Sequence, residues 1–134
     1  EVDMVMNIGE MLSGNLDAVR HDIESVVKSV SGRAIVKVII ETAYLDKEQI
    51  SAASKVVKAA GANFVKTSTG YAPSGAKVED IRIIREAAGP GFGIKASGGI
   101  SSYQTAKEML EAGATRFGAS AAIKIVEGEK NSQQ

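Results

Sequence analysis

The chain has 134 residues, 16 basic and 16 acidic side chains, zero formal net charge, 44% apolar residues, one histidine and no cysteine. That length suits one globular domain, and the balanced charge removes the bulk electrostatic drive toward nucleic acid or a membrane surface. Without thiols there is no disulfide framework, thiolate metal site or cysteine nucleophile, and one histidine cannot build a histidine-rich zinc site.

Residues 2–8 (VDMVMNI) form a β-branched apolar run followed by Gly9, the pattern of a buried strand. Leu16, Val19, Ile23, Val26, Val27 and Val30 then recur at spacings of three and four, with Asp17, Arg20, Glu24 and Lys28 on the other side. This predicts an amphipathic helix closed by Gly32. A second buried strand is predicted over 34–40 (AIVKVII), ahead of Glu41 and Thr42. The alternation continues with a helix over 46–60, strand 64–68, helix 78–88, strand 93–97, helix 102–112, strand 116–119 and a last short helix from Ser120. Asp46 with Gln49, and Ser101 with Gln104, have the spacing of a capping box. Five strands alternating with helices predict a parallel α/β architecture. No apolar run approaches the ~20 residues of a membrane span and no signal-peptide pattern opens the chain, so the expected location is cytoplasmic.

An internal repeat narrows the architecture. Residues 59–68 (AAGANFVKTS) resemble 87–97 (AAGPGFGIKAS), and 111–120 (EAGATRFGAS) form a looser third copy. Each copy is a helix end, a glycine stop and the next strand. Lys37, Lys66 and Lys95 are spaced 29 residues apart, a suitable length for one βα unit. Such a period suggests a circular array of like units, of which the (β/α)8 barrel is the common enzyme form. A doubly wound sheet is the alternative, but residues 9–14 (GEMLSG) do not match the glycine fingerprint expected after its first strand.

The available chemistry is that of Lys, Asp, Glu, Ser, Thr and Tyr. A lysine amid Val and Ile in a strand is costly, because desolvation disfavours the ammonium form. Neighbouring strands ~4.8 Å apart would let Lys66 and Lys95 approach, so burial and repulsion lower the pKa of at least one. A lysine kept partly neutral is a nucleophile toward carbonyls. The competing explanation is a structural charge network in which the lysines pair with Asp3 and Glu41. Asp3, in an equally apolar strand, is either a proton-transfer group working with Lys95 or a neutralising partner. Two glycine turns, Ser97-Gly98-Gly99-Ile100 and Phe117-Gly118-Ala119-Ser120, follow strands and open helices. They suit a phosphate, with Thr67-Ser68-Thr69-Gly70 lining the same pocket. His21 falls on the polar side of its helix, Met4, Met6 and Met11 suit core packing, and Tyr71 and Tyr103 lie near loop ends.

Five segments together resemble the deoxyribose-phosphate aldolase family: Asp3–Gly9 (DMVMNIG), Val36–Thr42 (VKVIIET), Phe64–Gly70 (FVKTSTG), Gly93–Ile100 (GIKASGGI) and Gly118–Ser120 (GAS). The resemblance runs from residue 1 to about Gly128. It implies a metal-independent, cofactor-free Schiff-base aldolase on a (β/α)8 barrel, joining acetaldehyde to glyceraldehyde 3-phosphate to give 2-deoxyribose 5-phosphate. By the same resemblance Lys66 is the nucleophile, Lys95 perturbs it and shares proton transfer, Asp3 is the acid/base group and Lys37 is a supporting lysine. Gly70, Gly98, Gly99, Gly118 and Ser120 fall on the phosphate-binding turns.

The family often carries a basic residue where this chain has Tyr71 and Ser101, and some members end in a tyrosine that the polar tail here lacks. Asp3 corresponds to the family's fourth strand. The expectation is therefore a partial barrel domain over 1–128 with a polar tail over 129–134, in which about five of eight strands are present. At 29 residues per unit a full barrel needs about 230 residues, near the ~250 typical of the fold. Expected partners are small phosphosugar and aldehyde substrates, without nucleic acid or membrane, and either further copies of the chain or a complementary N-terminal piece. The rival expectation is a non-catalytic barrel module that needs such a partner to complete the sheet.

Overall fold

A computed structural model describes residues 1–132. The elements are β1 (Val2–Val5), α1 (Ile8–Leu12), α2 (Leu16–Val30), β2 (Val36–Ile39), a 3-10 turn (Thr42–Tyr44), α3 (Lys47–Ala59), β3 (Phe64–Lys66), α4 (Val78–Ala88), β4 (Gly93–Ser97), α5 (Tyr103–Ala112), β5 (Arg116–Gly118) and α6 (Ala122–Ser132). All strand pairs are parallel, and the order β1-β2-β3-β4-β5 follows the chain without reversal. A doubly wound sheet reverses its order at a switch point; this stepwise order is that of a barrel wall. β1 and β5 are each paired on one side only among the described residues, so the wall is open: an incomplete barrel.

Strand alternation sorts the side chains onto two faces. Val36, Val38, Val65, Ile94 and Ala96 point outward and pack with Val19 and Ile23 of α2, Ile50 and Val57 of α3, Ile81 and Ile84 of α4, and Met109 of α5, all buried. Each fully buried aliphatic side chain contributes roughly 1.5–3 kcal/mol, so this layer holds the strands in register. Met6 and Met11 belong to the same core, with Met4 packed against it. The opposite, concave face carries Asp3, Lys37, Lys66 and Lys95.

Local details depart from the periodicity. The first strand stops at Val5 because the Asn7 side chain accepts from the Glu10 amide and caps α1, drawing Asn7 and Ile8 out of the strand. Asp46 and Gln49 form the expected reciprocal capping box on α3. The cap of α5 is Ser102, which accepts from the Thr105 amide, while Gln104 donates to Glu108 instead. At the end of α2 the left-handed position falls on Ser31, ahead of Gly32. α6 continues through Glu129 to Ser132, and the rest of the predicted tail lies outside the described residues. No described helix is long and apolar enough to cross a membrane.

Candidate active site

The concave face brings three of the four predicted chemical side chains into direct contact. Asp3 lies at the centre: Lys37 Nζ donates to its Oδ1 at 2.7 Å and Lys66 Nζ to its Oδ2 at 2.8 Å. Lys37 Nζ also sits 2.8 Å from Glu1 Oε2, and Arg116 reaches the other Glu1 oxygen at 2.6 Å. The Arg116 guanidinium lies 4.7 Å from the centre of the Phe64 ring. Glu1 and Arg116 thus bridge the first and last strands across the concave face, a link that sequence spacing gave no means to anticipate.

The strand lysines are not equivalent. Lys66 is in register with Lys95, and Lys95 with Arg116, but Lys37 aligns with Phe64 and sits one inward-facing position lower. Lys37 is buried, and the hydrogen bonds it donates to Asp3 and Glu1 outweigh desolvation and raise its pKa. It is a structural cation. Burial alone would raise the Asp3 carboxyl, but the hydrogen bonds from Lys37 and Lys66 prevail and hold it at about 2. Lys95 is pushed below the ordinary lysine range, first by desolvation and then by the positive charges of Lys66 and Lys37. No carboxylate forms an ion pair with Lys95 among the described residues.

Beyond Lys66 and Lys95, the C-terminal strand ends carry the predicted glycine turns. Gly70 follows β3 and has φ +96°; Gly98 and Gly99 follow β4 with φ +81° and +75°. Gly118 ends β5 so close to its neighbours that an added Cβ would lie 2.6 Å from Ser97 Oγ and 3.3 Å from Lys95 Cε. Ser120 is exposed just beyond it. A residue the sequence reading missed, Gly75, ties the rim together: a Cβ there would lie 2.3 Å from the Gly98 carbonyl carbon, and the Ala76 amide donates to Ser97 and Gly98 carbonyls. The loop after β3 therefore rests directly on the turn after β4.

Other candidates separate from the site. Glu41 joins none of the lysines; its carboxylate is buried against Thr69. The charge network expected of Asp3 and Glu41 thus involves Asp3 and Glu1. Tyr71 is 96% exposed, Tyr103 packs beside Gly128 of α6, and His21 is exposed on α2. A surface groove of about 650 Å³ lies on the outer layer between α3 and α4, away from the lysines. The concave face is the better candidate, because there ionisable groups converge and shift one another's proton affinity.

No family model matches the chain. The deoxyribose-phosphate aldolase of Clostridium tetani is 55% identical over 130 residues, covering 97% of this chain and 60% of that protein. A solved aldolase structure, 40% identical, superposes with a TM-score of 0.89 over 99% of this chain and 60% of its own. The deoxyribose-phosphate aldolase of Aeropyrum pernix, described as a tetramer of unique arrangement, is 36% identical with a TM-score of 0.84, over 97% of this chain and 55% of its own. Over nearly its whole length the chain is homologous to the deoxyribose-phosphate aldolases, and it spans about three fifths of the length of the C. tetani relative.

Proposed function

We propose that the protein is a class I, Schiff-base aldolase that reversibly cleaves 2-deoxy-D-ribose 5-phosphate into acetaldehyde and D-glyceraldehyde 3-phosphate, a step of cytoplasmic nucleotide breakdown. The observation that carries this is the registered pair Lys66 and Lys95, with Asp3 bonded to Lys66 and glycine turns at the strand ends just beyond.

In the synthetic direction the neutral Lys66 amine adds to the acetaldehyde carbonyl carbon, and loss of water leaves a protonated imine. Lys95, whose lowered pKa leaves its amine more readily unprotonated, is the base beside Lys66 that takes the proton Lys66 sheds before it attacks and returns that proton to the departing hydroxyl. Asp3, ionised at neutral pH, accepts with Lys95 a proton from the imine's methyl carbon through a water, and the electron pair moves into the enamine. The enamine carbon attacks the aldehyde carbon of glyceraldehyde 3-phosphate, whose oxygen takes up a proton. Hydrolysis of the new imine returns Lys66 and frees the product. The iminium is the electron sink. Backbone amides at Gly70, Gly99 and Gly118, with Ser120, receive the phosphate, and Gly98, whose own amide donates to the Gly118 carbonyl, lets the turn approach the anion closely.

The test is release of acetaldehyde from 2-deoxyribose 5-phosphate by the purified chain, followed by its enzymatic reduction. Release that is abolished in Lys66→Leu supports the proposal; none from the wild-type chain contradicts it for this chain alone.

The open sheet favours a second reading. The free edges of β1 and β5 template strand pairing, so the chain can act as an assembly module that stays silent until further copies or a complementary N-terminal segment closes the wall. The A. pernix relative's tetramer supports self-association as one form of this. Light scattering separates the two: a stable inactive oligomer favours the module, an active monomer the enzyme.

A further inference from the structure

Glu41 carries two costs that packing does not explain. It is a carboxylate with 4% of its surface exposed, and burying a charge is expensive unless it is fully hydrogen-bonded. It also holds φ +50° and ψ +67°, the left-handed region that non-glycine residues avoid. It precedes the 3-10 turn at Thr42–Tyr44 yet gives that turn no side-chain cap. The side chain is committed elsewhere. Its two oxygens lie 3.1 and 3.4 Å from the Thr69 amide, and Thr69 Oγ1 donates to Oε2. Thr69 Oγ1 in turn accepts from the Tyr71 amide at 3.1 Å.

Glu41 therefore grips both sides of Gly70, through Thr69 directly and through Tyr71 at one remove. The neighbouring backbone adds support, since the Thr42 amide donates to the Thr67 carbonyl and the Ile40 amide to that of Lys66. The Gly70 and Gly99 amides donate to no group among the described residues, so both remain free for an anion. Thr69 donates both its amide and its hydroxyl to the Glu41 carboxylate, so the buried charge is hydrogen-bonded within the fold and the turn is held in one conformation. We infer that Glu41 is a positioning residue that sets the Thr69-Gly70 turn for the phosphate-bearing half of the substrate. This rests on the aldolase reading for the identity of the ligand.

The experiment compares wild type with Glu41→Gln, Glu41→Ala and Thr69→Val, using inorganic phosphate as the probe in amide NMR titrations and phosphorylated aldehyde in steady-state kinetics. Gln keeps an acceptor for the Thr69 amide but loses the charge; Thr69→Val removes only the hydroxyl link and guards against a variant that fails to fold. The expected result is a phosphate dissociation constant and a KM for phosphorylated aldehyde raised about tenfold in Glu41→Ala and less in Glu41→Gln, with kcat falling less than KM rises. Unchanged phosphate affinity in folded Glu41→Ala and Thr69→Val overturns the inference, as does a uniform loss of kcat without a KM effect. Absence of acetaldehyde release in wild type counts against the aldolase reading alone, because the phosphate titration still decides the role of Glu41.

Discussion

Lys66 and Lys95 stand opposite each other on adjacent parallel strands, yet only Lys66 is bonded to a carboxylate. Asp3 compensates one cation of the pair and leaves the other to bear the cost of desolvation and of its neighbours' charge. One lysine is thereby held close to an acceptor that fixes its position, while the other gives up its proton more readily.

The Lys95 side chain is expected to titrate below the ordinary lysine value, as followed by the NMR shift of its Cε carbon. Lys66→Met removes a neighbouring positive charge and raises that value; Asp3→Asn removes the one charge that raises it and lowers it further. A Lys95 titration that moves the opposite way in Lys66→Met contradicts the electrostatic ordering of the site. Because unfolding restores an ordinary lysine, the unfolded chain binds more protons between the two values, and stability attributable to Lys95 increases with pH across that window.

Acid should act in the opposite range. Asp3 and Glu1 are both held at about 2, against ordinary values of 3.8 and 4.5. Their contribution is present above the ordinary values and is lost as pH falls toward 2, since there the unfolded chain takes up protons first. Lys37 supplies a hydrogen bond to both carboxylates, so Lys37→Met should move the acid unfolding midpoint, measured by circular dichroism, to higher pH. Its stability cost at neutral pH should be about 1–3 kcal/mol, below the 3–5 of a fully buried pair because Asp3 is partly exposed. An unaltered acid midpoint would show that the Glu1-Lys37-Asp3 cluster is not formed in solution.

Gly118 and Ser97 should couple. Gly118→Ala places a methyl 2.6 Å from Ser97 Oγ, and overpacking of this kind costs about 1–3 kcal/mol. Ser97 Oγ is buried without a hydrogen-bond partner, so Ser97→Ala alone should be neutral or stabilising. In the double variant the nearest remaining Ser97 atom is Cβ at 3.4 Å, an ordinary contact, and thermal melts should recover most of the loss. Strictly additive effects of the two substitutions would refute the close approach.

The strand and helix order was legible because each strand is a short β-branched run and each helix has a clean apolar stripe. The βα repeat pointed to a barrel wall, and the unreversed strand order agrees. The motif residues Asp3, Lys66 and Lys95 fall on one face as their strand positions require, although their catalytic roles came from family resemblance. What stayed hidden depends on stagger between strands and on backbone shape. The equal spacing of Lys37, Lys66 and Lys95 suggested three equivalent lysines, but β2 and β3 align Lys37 with Phe64, two positions short of Lys66. Glu41 looked like a lysine partner because its left-handed backbone, which turns the side chain toward Thr69, leaves no trace in composition or periodicity. Glu1 and Arg116 lie 115 positions apart, and only the curl of the sheet brings them together.

Reduction of the chain with borohydride in the presence of acetaldehyde, followed by peptide mass mapping, tests the Schiff-base chemistry most directly. The expected result is a single stable ethyl adduct on Lys66, lost in Lys66→Leu and diminished in Lys95→Leu. An adduct on Lys95 with Lys66 unmodified, or no adduct on any lysine of the folded chain, would contradict it.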